Sequence, residues 1–184
     1  MGALLLALFF LAADDATLKA GVFDPPRSAP DFSLRGSDGS ELSLSHYRGK
    51  VVVLGFGFSS CPEICPTTLA TLAQARKKLG PQAGDVQVVY VTVDPERDDA
   101  ARLRKYLAGF DPTFIGGTGT DEQLSAVRKD FGITATRKTA GDSYTFAHSS
   151  YTYLIDRKGL MRALMPYGQS ADDYAHDLRI LLQP

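Results

Sequence analysis

From about Ala29 onward, apolar and polar positions follow two rhythms, and their alternation lays out the elements. The segment from Asp31, DFSLRGSDGSELSL, alternates in two short runs around a Ser-Asp-Gly turn and predicts a hairpin. SLSHYRGK is too short and polar for more than a single helical turn. Lys50 to Phe56, KVVVLGF, is an unbroken β-branched run, the pattern of a strand covered on both faces. The segment from Pro66, PTTLATLAQARKKLG, changes to the helical period, with Leu69, Leu72, Ala73 and Leu79 on one stripe and Gly80 as its stop. Pro66 suits the first helical position, where a missing N–H costs nothing. Val86 to Asp94 is a second buried strand, and Asp98 to Phe110 a helix with Leu103, Tyr106, Leu107 and Phe110 inward. FIGG is a short third strand, and Thr120 with Gln123 forms a capping box opening TDEQLSAVRKDFGI. Strand signals return at Tyr144 to Phe146, Tyr151 to Ile155 and Leu160 to Met165, before Ser170 caps a last helix, SADDYAHDLRILL.

Strands alternating with helices define an α/β sheet. The closing strand pair and helix resemble the thioredoxin fold, here with an added N-terminal β-hairpin. A chain of 184 residues, 44% hydrophobic and 22% charged, suits one ordinary domain with a real core. Residues 29–184 are read as that domain and residues 14–28, polar and then proline-containing without a sustained period, as a linker. Residues 1–13 hold an apolar run, Ala3 to Ala13, too short to cross a bilayer but sized for a signal-peptide core or the remnant of an anchor. Export is the preferred reading, with an anchor favoured over a cleaved signal, and it places thiols in an oxidising compartment. The net charge of -1 gives no reason to propose nucleic acid as a partner.

Chemistry concentrates where the strands end, the place at which open α/β sheets gather their sites. The first buried strand runs into FSSCPEICP, which holds the chain's only two cysteines, Cys61 and Cys65. The second ends at Asp94, in DPERDD, and His148 stands just before a late strand. A structural disulfide between Cys61 and Cys65 would close only a short loop, where such a link stabilises least. A dithiol redox pair usually has Cys-x-x-Cys spacing, one residue tighter. Such proteins also carry a proline before the strand facing the disulfide, whereas this chain has none from Thr113 to Met165. Two thiolates and one imidazole instead suit a thiophilic ion. Cuprous copper accepts few ligands, while structural zinc takes four, so copper fits better. Other polar residues have plainer readings. Glu63 and His46 face water, His176 lies on the polar side of the last helix, Asp98 and Asp99 start a helix, and Tyr151 and Tyr153 pack.

The segments VFDPPRSAPDF, GFGFSSCPEICPTTL, VVYVTVDPERD, FIGGTG, HSSYTYLID and PYG together resemble the Sco/SenC family of copper-binding, thioredoxin-fold proteins. The resemblance covers nearly all of the chain from Val22. It implies a metallochaperone that assists assembly of the copper centre of cytochrome c oxidase. Copper, as Cu(I) or alternatively Cu(II), would be held by Cys61, Cys65 and His148, with Asp94 behind them supporting the ligands or modulating their redox behaviour. The implied partners are the copper-binding subunit of the oxidase or another periplasmic copper carrier, together with a thiol reductant. The implied location is the periplasmic side of the inner membrane. Two other activities stay open: a thiol-disulfide reductase acting through Cys61 and Cys65 to keep the oxidase's cysteines reduced, and a thiol peroxidase. The chain departs from the family pattern at Ala147, where Asp is frequent, and at Ser59 and Ser60, where Thr-His is common.

Overall fold

The computed structural model describes residues 17–183. The apolar run ending at Ala13 lies outside the described residues. Among the described residues ten strands follow in order: β1 (Gly21–Ser28), β2 (Leu34–Gly36), β3 (Glu41–Leu42), β4 (Val51–Gly57), β5 (Val86–Thr92), β6 (Ile115–Thr118), β7 (Ala135–Ala140), β8 (Ser143–His148), β9 (Tyr151–Ile155) and β10 (Leu160–Pro166). Four α-helices join them: α1 (Ile64–Lys78), α2 (Ala100–Ala108), α3 (Asp121–Asp130) and α4 (Ala171–Leu182). Eight strands form one sheet in the order β1-β10-β9-β4-β5-β6-β2-β3. β4, β5 and β6 run parallel, and β9 joins β4 antiparallel. β7 and β8 form a separate hairpin.

The continuous apolar runs become the centre of the sheet. Every residue of β4 and β5 is buried, as expected of parallel strands covered on both faces. α1 packs against α4, and α2 against β6. At Gly116 on β6 a side chain would press on Leu103 and Leu107 of α2, so the missing Cβ is what lets that helix seat. The β2–β3 hairpin forms as expected and extends the sheet beyond β6. Both capping boxes form, Thr120 with Gln123 and Ser170 with Asp173.

The helix expected over Asp98 to Phe110 is shorter, Ala100–Ala108, and three larger differences from the sequence reading stand out. α1 begins at Ile64, two residues before Pro66, and Glu63 stands at its N-cap. Cys65 therefore lies inside the first turn, and Pro66 still falls where no intrahelical N–H bond is required. Within the expected linker, β1 pairs with β10, its register shifting between Val22 and Arg27. The backbone N–H groups of Lys19 and Ala20 donate to the fully buried carboxylate of Asp177 on α4, which fixes the entry to this strand. β1 is almost wholly exposed and carries two prolines, which an edge strand tolerates, so no burial period marks it. β7 was not expected at all: Thr136 to Thr139 are exposed and polar, and only pairing with β8 makes them a strand.

Candidate metal centre

The site forms where β4 ends. After Gly57 the chain turns through Phe58 to Cys61, whose N–H donates to the Phe58 carbonyl at 3.2 Å. Asp98 anchors this loop. Its fully buried carboxylate accepts from Ser59 N at 2.9 Å, from Ser59 Oγ, and from Thr92 Oγ1 at 2.7 Å. One acidic group thus ties the cysteine loop to the end of β5. Arg102 adds bonds to Ser59 Oγ at 2.7 Å and Ser60 Oγ at 3.0 Å. The two serines that depart from the family pattern are therefore structural handles on the loop.

Cys65 is buried and Cys61 partly exposed, and neither is in a disulfide. The backbone N–H of Cys65 points at Cys61 Sγ, 3.5 Å away. The β7–β8 hairpin brings in the third group. His148 closes β8, and its Nε2 stands 3.5 Å from Cys65 Sγ. Its Nδ1 lies 2.8 Å from the Ser149 carbonyl, which can only accept. In neutral imidazole Nδ1 therefore carries the proton, and Nε2 presents a lone pair to the sulfurs. Phe58 meets the edges of His148 and Phe146, with ring centroids 5.8 and 5.7 Å apart.

The ligand atoms of Cys61, Cys65 and His148 all lie within 4.8 Å of one another, forming a three-residue group of metal donors among the described residues. Metal–sulfur and metal–nitrogen bonds of about 2.0–2.3 Å hold two donors at most about 4.6 Å apart, so the group needs little adjustment to close on an ion. Burial pushes the Cys65 thiol up to about 12, with the Tyr90 hydroxyl opposing the rise. Burial also lowers His148 below the usual imidazole range, which keeps the ring neutral and able to ligate.

Asp94 sits one layer back. It is 1% exposed, binds Arg97 Nε through one oxygen and accepts from the Tyr144 hydroxyl at 2.9 Å through the other. Arg97 lies over the rings of Tyr144 and Phe58 and donates to the Tyr144 carbonyl at 3.0 Å. Arg137 covers the same Tyr144 ring and pairs with Glu96. The DPERD segment thus clamps the hairpin that delivers His148. Glu63, His46 and Ala147 are exposed, so the missing Asp at 147 leaves no gap beside the ligands. His176 bonds its neighbour Asp177, and Tyr151 and Tyr153 bond backbone carbonyls of Gly132 and Phe131.

Residues 23–183 match the SCO1/SenC family along their whole stretch. The chain belongs to the SCO1/SenC family. It is 37% identical over 132 residues to the SCO2-like protein of Rickettsia felis, covering 70% of this chain and 64% of that protein. It is 35% identical over 153 residues to the mitochondrial SCO2 homolog of Mus musculus, covering 81% of this chain and 60% of the other. The matches thus span less than two thirds of these relatives' length. Among solved structures, apo Sco1 of Thermus thermophilus superposes with a TM-score of 0.81 at 33% identity, covering 90% of this chain and 98% of that one. ScoI of Bradyrhizobium japonicum with copper bound superposes at 0.79 and 29% identity, covering 84% and 99%. The fold is thioredoxin-like, with the strand additions described above.

Sequence reasoning missed Asp98, which it read as a helix start, and gave no role to Tyr90 or Gly57. The available signal was a polar side chain at alternate positions of an otherwise apolar run, Tyr90 and Thr92 in VVYVTVD.

Proposed function

We propose that this chain is a copper metallochaperone for the copper centre of cytochrome c oxidase, holding one copper ion between Cys61, Cys65 and His148. The observation that carries this reading is the convergence of two sulfurs and one imidazole nitrogen within 4.8 Å. Soft thiolates favour cuprous copper, which is content with three ligands, whereas closed zinc sites take four. Family membership and a copper-bound relative of the same fold support the ion. The partial exposure of Cys61 suits a cargo that leaves by ligand exchange. The recipient in this reading is the oxidase's copper-binding subunit or a periplasmic carrier, and the chain works on the periplasmic side of the inner membrane with its N-terminal apolar run as anchor. No helix among the described residues is long and apolar enough to cross a membrane.

Redox state and metal binding form one equilibrium. Oxidation of the pair to a disulfide removes two electrons and two protons, and with them both sulfur ligands. A thiol reductant restores the site. The thiol-disulfide reductase reading uses the same two residues, and the accessibility of Cys61 favours it as the attacking thiol. A thiol peroxidase needs a low-pKa thiolate, whereas Cys65 is shifted the other way.

The test is an anaerobic Cu(I) titration of the reduced protein against a competing chelator. One tight equivalent is expected. With the Cys65 thiol near 12, copper must displace its proton throughout pH 6 to 8. Affinity should then rise at least about tenfold per pH unit, because each displaced proton enters the equilibrium once. The His148 ring, already neutral over most of that range, adds little proton competition. A flat pH profile, or copper bound without stoichiometry, would sink the three-ligand site.

Asp94 acts in this reading through Arg97 and Tyr144, by holding the hairpin in place. Arg97→Ala is expected to weaken copper by about tenfold, the low end for partners behind metal ligands. Wild-type affinity in that variant would show that the hairpin is held well enough without the clamp.

A further inference from the structure

Tyr90 lies in the middle of β5 and is 4% exposed. Its ring packs near Tyr106, with centroids 6.4 Å apart. Buried phenols normally find an acceptor. Tyr90 Oη makes no hydrogen bond of good geometry among the described residues, although it stands close enough to Cys65 Sγ to oppose that thiol's upward shift. What stands before it is a ligand of the proposed site. A Cβ built on Gly57 would lie 2.0 Å from Tyr90 Oη and 2.7 Å from Cys65 Sγ. Hydroxyl and sulfur therefore share the space that a side chain at position 57 would fill.

The charge of the loaded site gives this arrangement a purpose. Cuprous copper with two thiolates and a neutral imidazole carries a net charge of about −1, counting the ion's own charge. A partly buried anion needs donors aimed at it. Cys61 Sγ already faces the backbone N–H of Cys65. Cys65 Sγ lies on the buried side, and the orphaned donor beside it is Tyr90 Oη. A neutral thiol is a weak acceptor, which accounts for the slack hydroxyl in the dithiol form, whereas a thiolate is a strong one.

We propose that Tyr90 is a positioning residue of the copper site, donating a hydrogen bond to the Cys65 thiolate when metal is bound, and that position 57 is glycine so that the two groups can meet. The proposal rests on the copper reading above. Tyr90 would act through the sulfur, and it would favour the metal-loaded dithiolate over the protonated dithiol.

The test compares the reduced full chain with Tyr90→Phe, which removes one oxygen and leaves the ring. Cu(I) affinity against a chelator should fall by about ten- to a hundredfold at an unchanged stoichiometry of one. Metal-free Tyr90→Phe should melt no lower than wild type, because an unpaired buried hydroxyl has gone. With Cu(II), the thiolate-to-copper absorption should shift, since a hydrogen bond to sulfur alters its donor strength. Gly57→Ala, which places a methyl between the two atoms, should weaken copper at least as much. Wild-type affinity and absorption in Tyr90→Phe would overturn the proposal alone. Weaker copper accompanied by an equal loss of metal-free stability would also overturn it, as a purely structural effect. A wild-type chain that takes up no stoichiometric copper would bring down the copper reading and this proposal together.

Discussion

Cys65→Ala is expected to lose copper affinity by about a hundred- to a thousandfold. Metal sites of four ligands bind with roughly 10–16 kcal/mol, or about 2.5–4 kcal/mol for each ligand. Removing one thiolate of two should cost at least that share, and Cys61→Ala should match it. The two variants differ in stability. Cys65 is 3% exposed within the core cluster beneath α1, so losing its sulfur leaves a small cavity worth about 1–2 kcal/mol. That should lower the melting point by roughly 2–8 °C for a chain of this size. Cys61 is partly exposed, and its alanine variant should melt within about a degree or two of wild type. His148→Ala should weaken copper less than either cysteine variant, because one neutral donor is lost while both thiolates remain. Chelator competition and thermal melts on the same samples separate ligand loss from misfolding. Copper retained in either cysteine variant would rule out a site that uses both sulfurs.

The largest stability effect should come from Asp98→Ala. The Asp98 carboxylate is wholly buried and accepts from Ser59 N, Ser59 Oγ and Thr92 Oγ1. Alanine would strand the buried Thr92 hydroxyl and the half-buried Ser59 donors and release the loop that carries Cys61. Breaking such a buried, charge-assisted cluster costs about 3–5 kcal/mol. The melting point should drop by roughly 6–20 °C at about 2–4 °C per kcal/mol. Asp99 is the control. It is exposed and caps α2 by accepting from Arg102 N at 2.7 Å, a role worth about 1 kcal/mol. Copper should also weaken in Asp98→Ala, because Cys61 loses its fixed approach, and stay unchanged in Asp99→Ala. Equal melting points for the two variants would refute the anchoring role assigned to Asp98.

These adjacent aspartates show where sequence reading reaches its limit. Both look like helix-start residues, and one of them is. Asp98 differs because the end of β5 and the cysteine loop close around it, and that closure is not written in the local pattern. The metal-ligand candidates were more legible. Cys61 and Cys65 are the chain's only thiols, and a proline follows each. His148 was singled out by its place before a strand and by the family resemblance, although 83 residues separate it from Cys65.

Elements whose burial leaves a period can be read from the chain alone. The apolar runs of β4 and β5, the stripe of α1 and the capping boxes of α3 and α4 follow from side-chain chemistry acting over a few residues. Long-range packing fixes what depends on distant partners. β1 and β7 are exposed along most of their length, so only hydrogen bonding to β10 and β8 makes them strands. The meeting of Tyr90 with Cys65 over Gly57, and of His148 with both sulfurs, likewise requires three segments to arrive at one sheet end. Local patterns encode which face a residue turns inward. They do not encode what it meets there, because that contact is fixed by the packing of segments far apart in the chain.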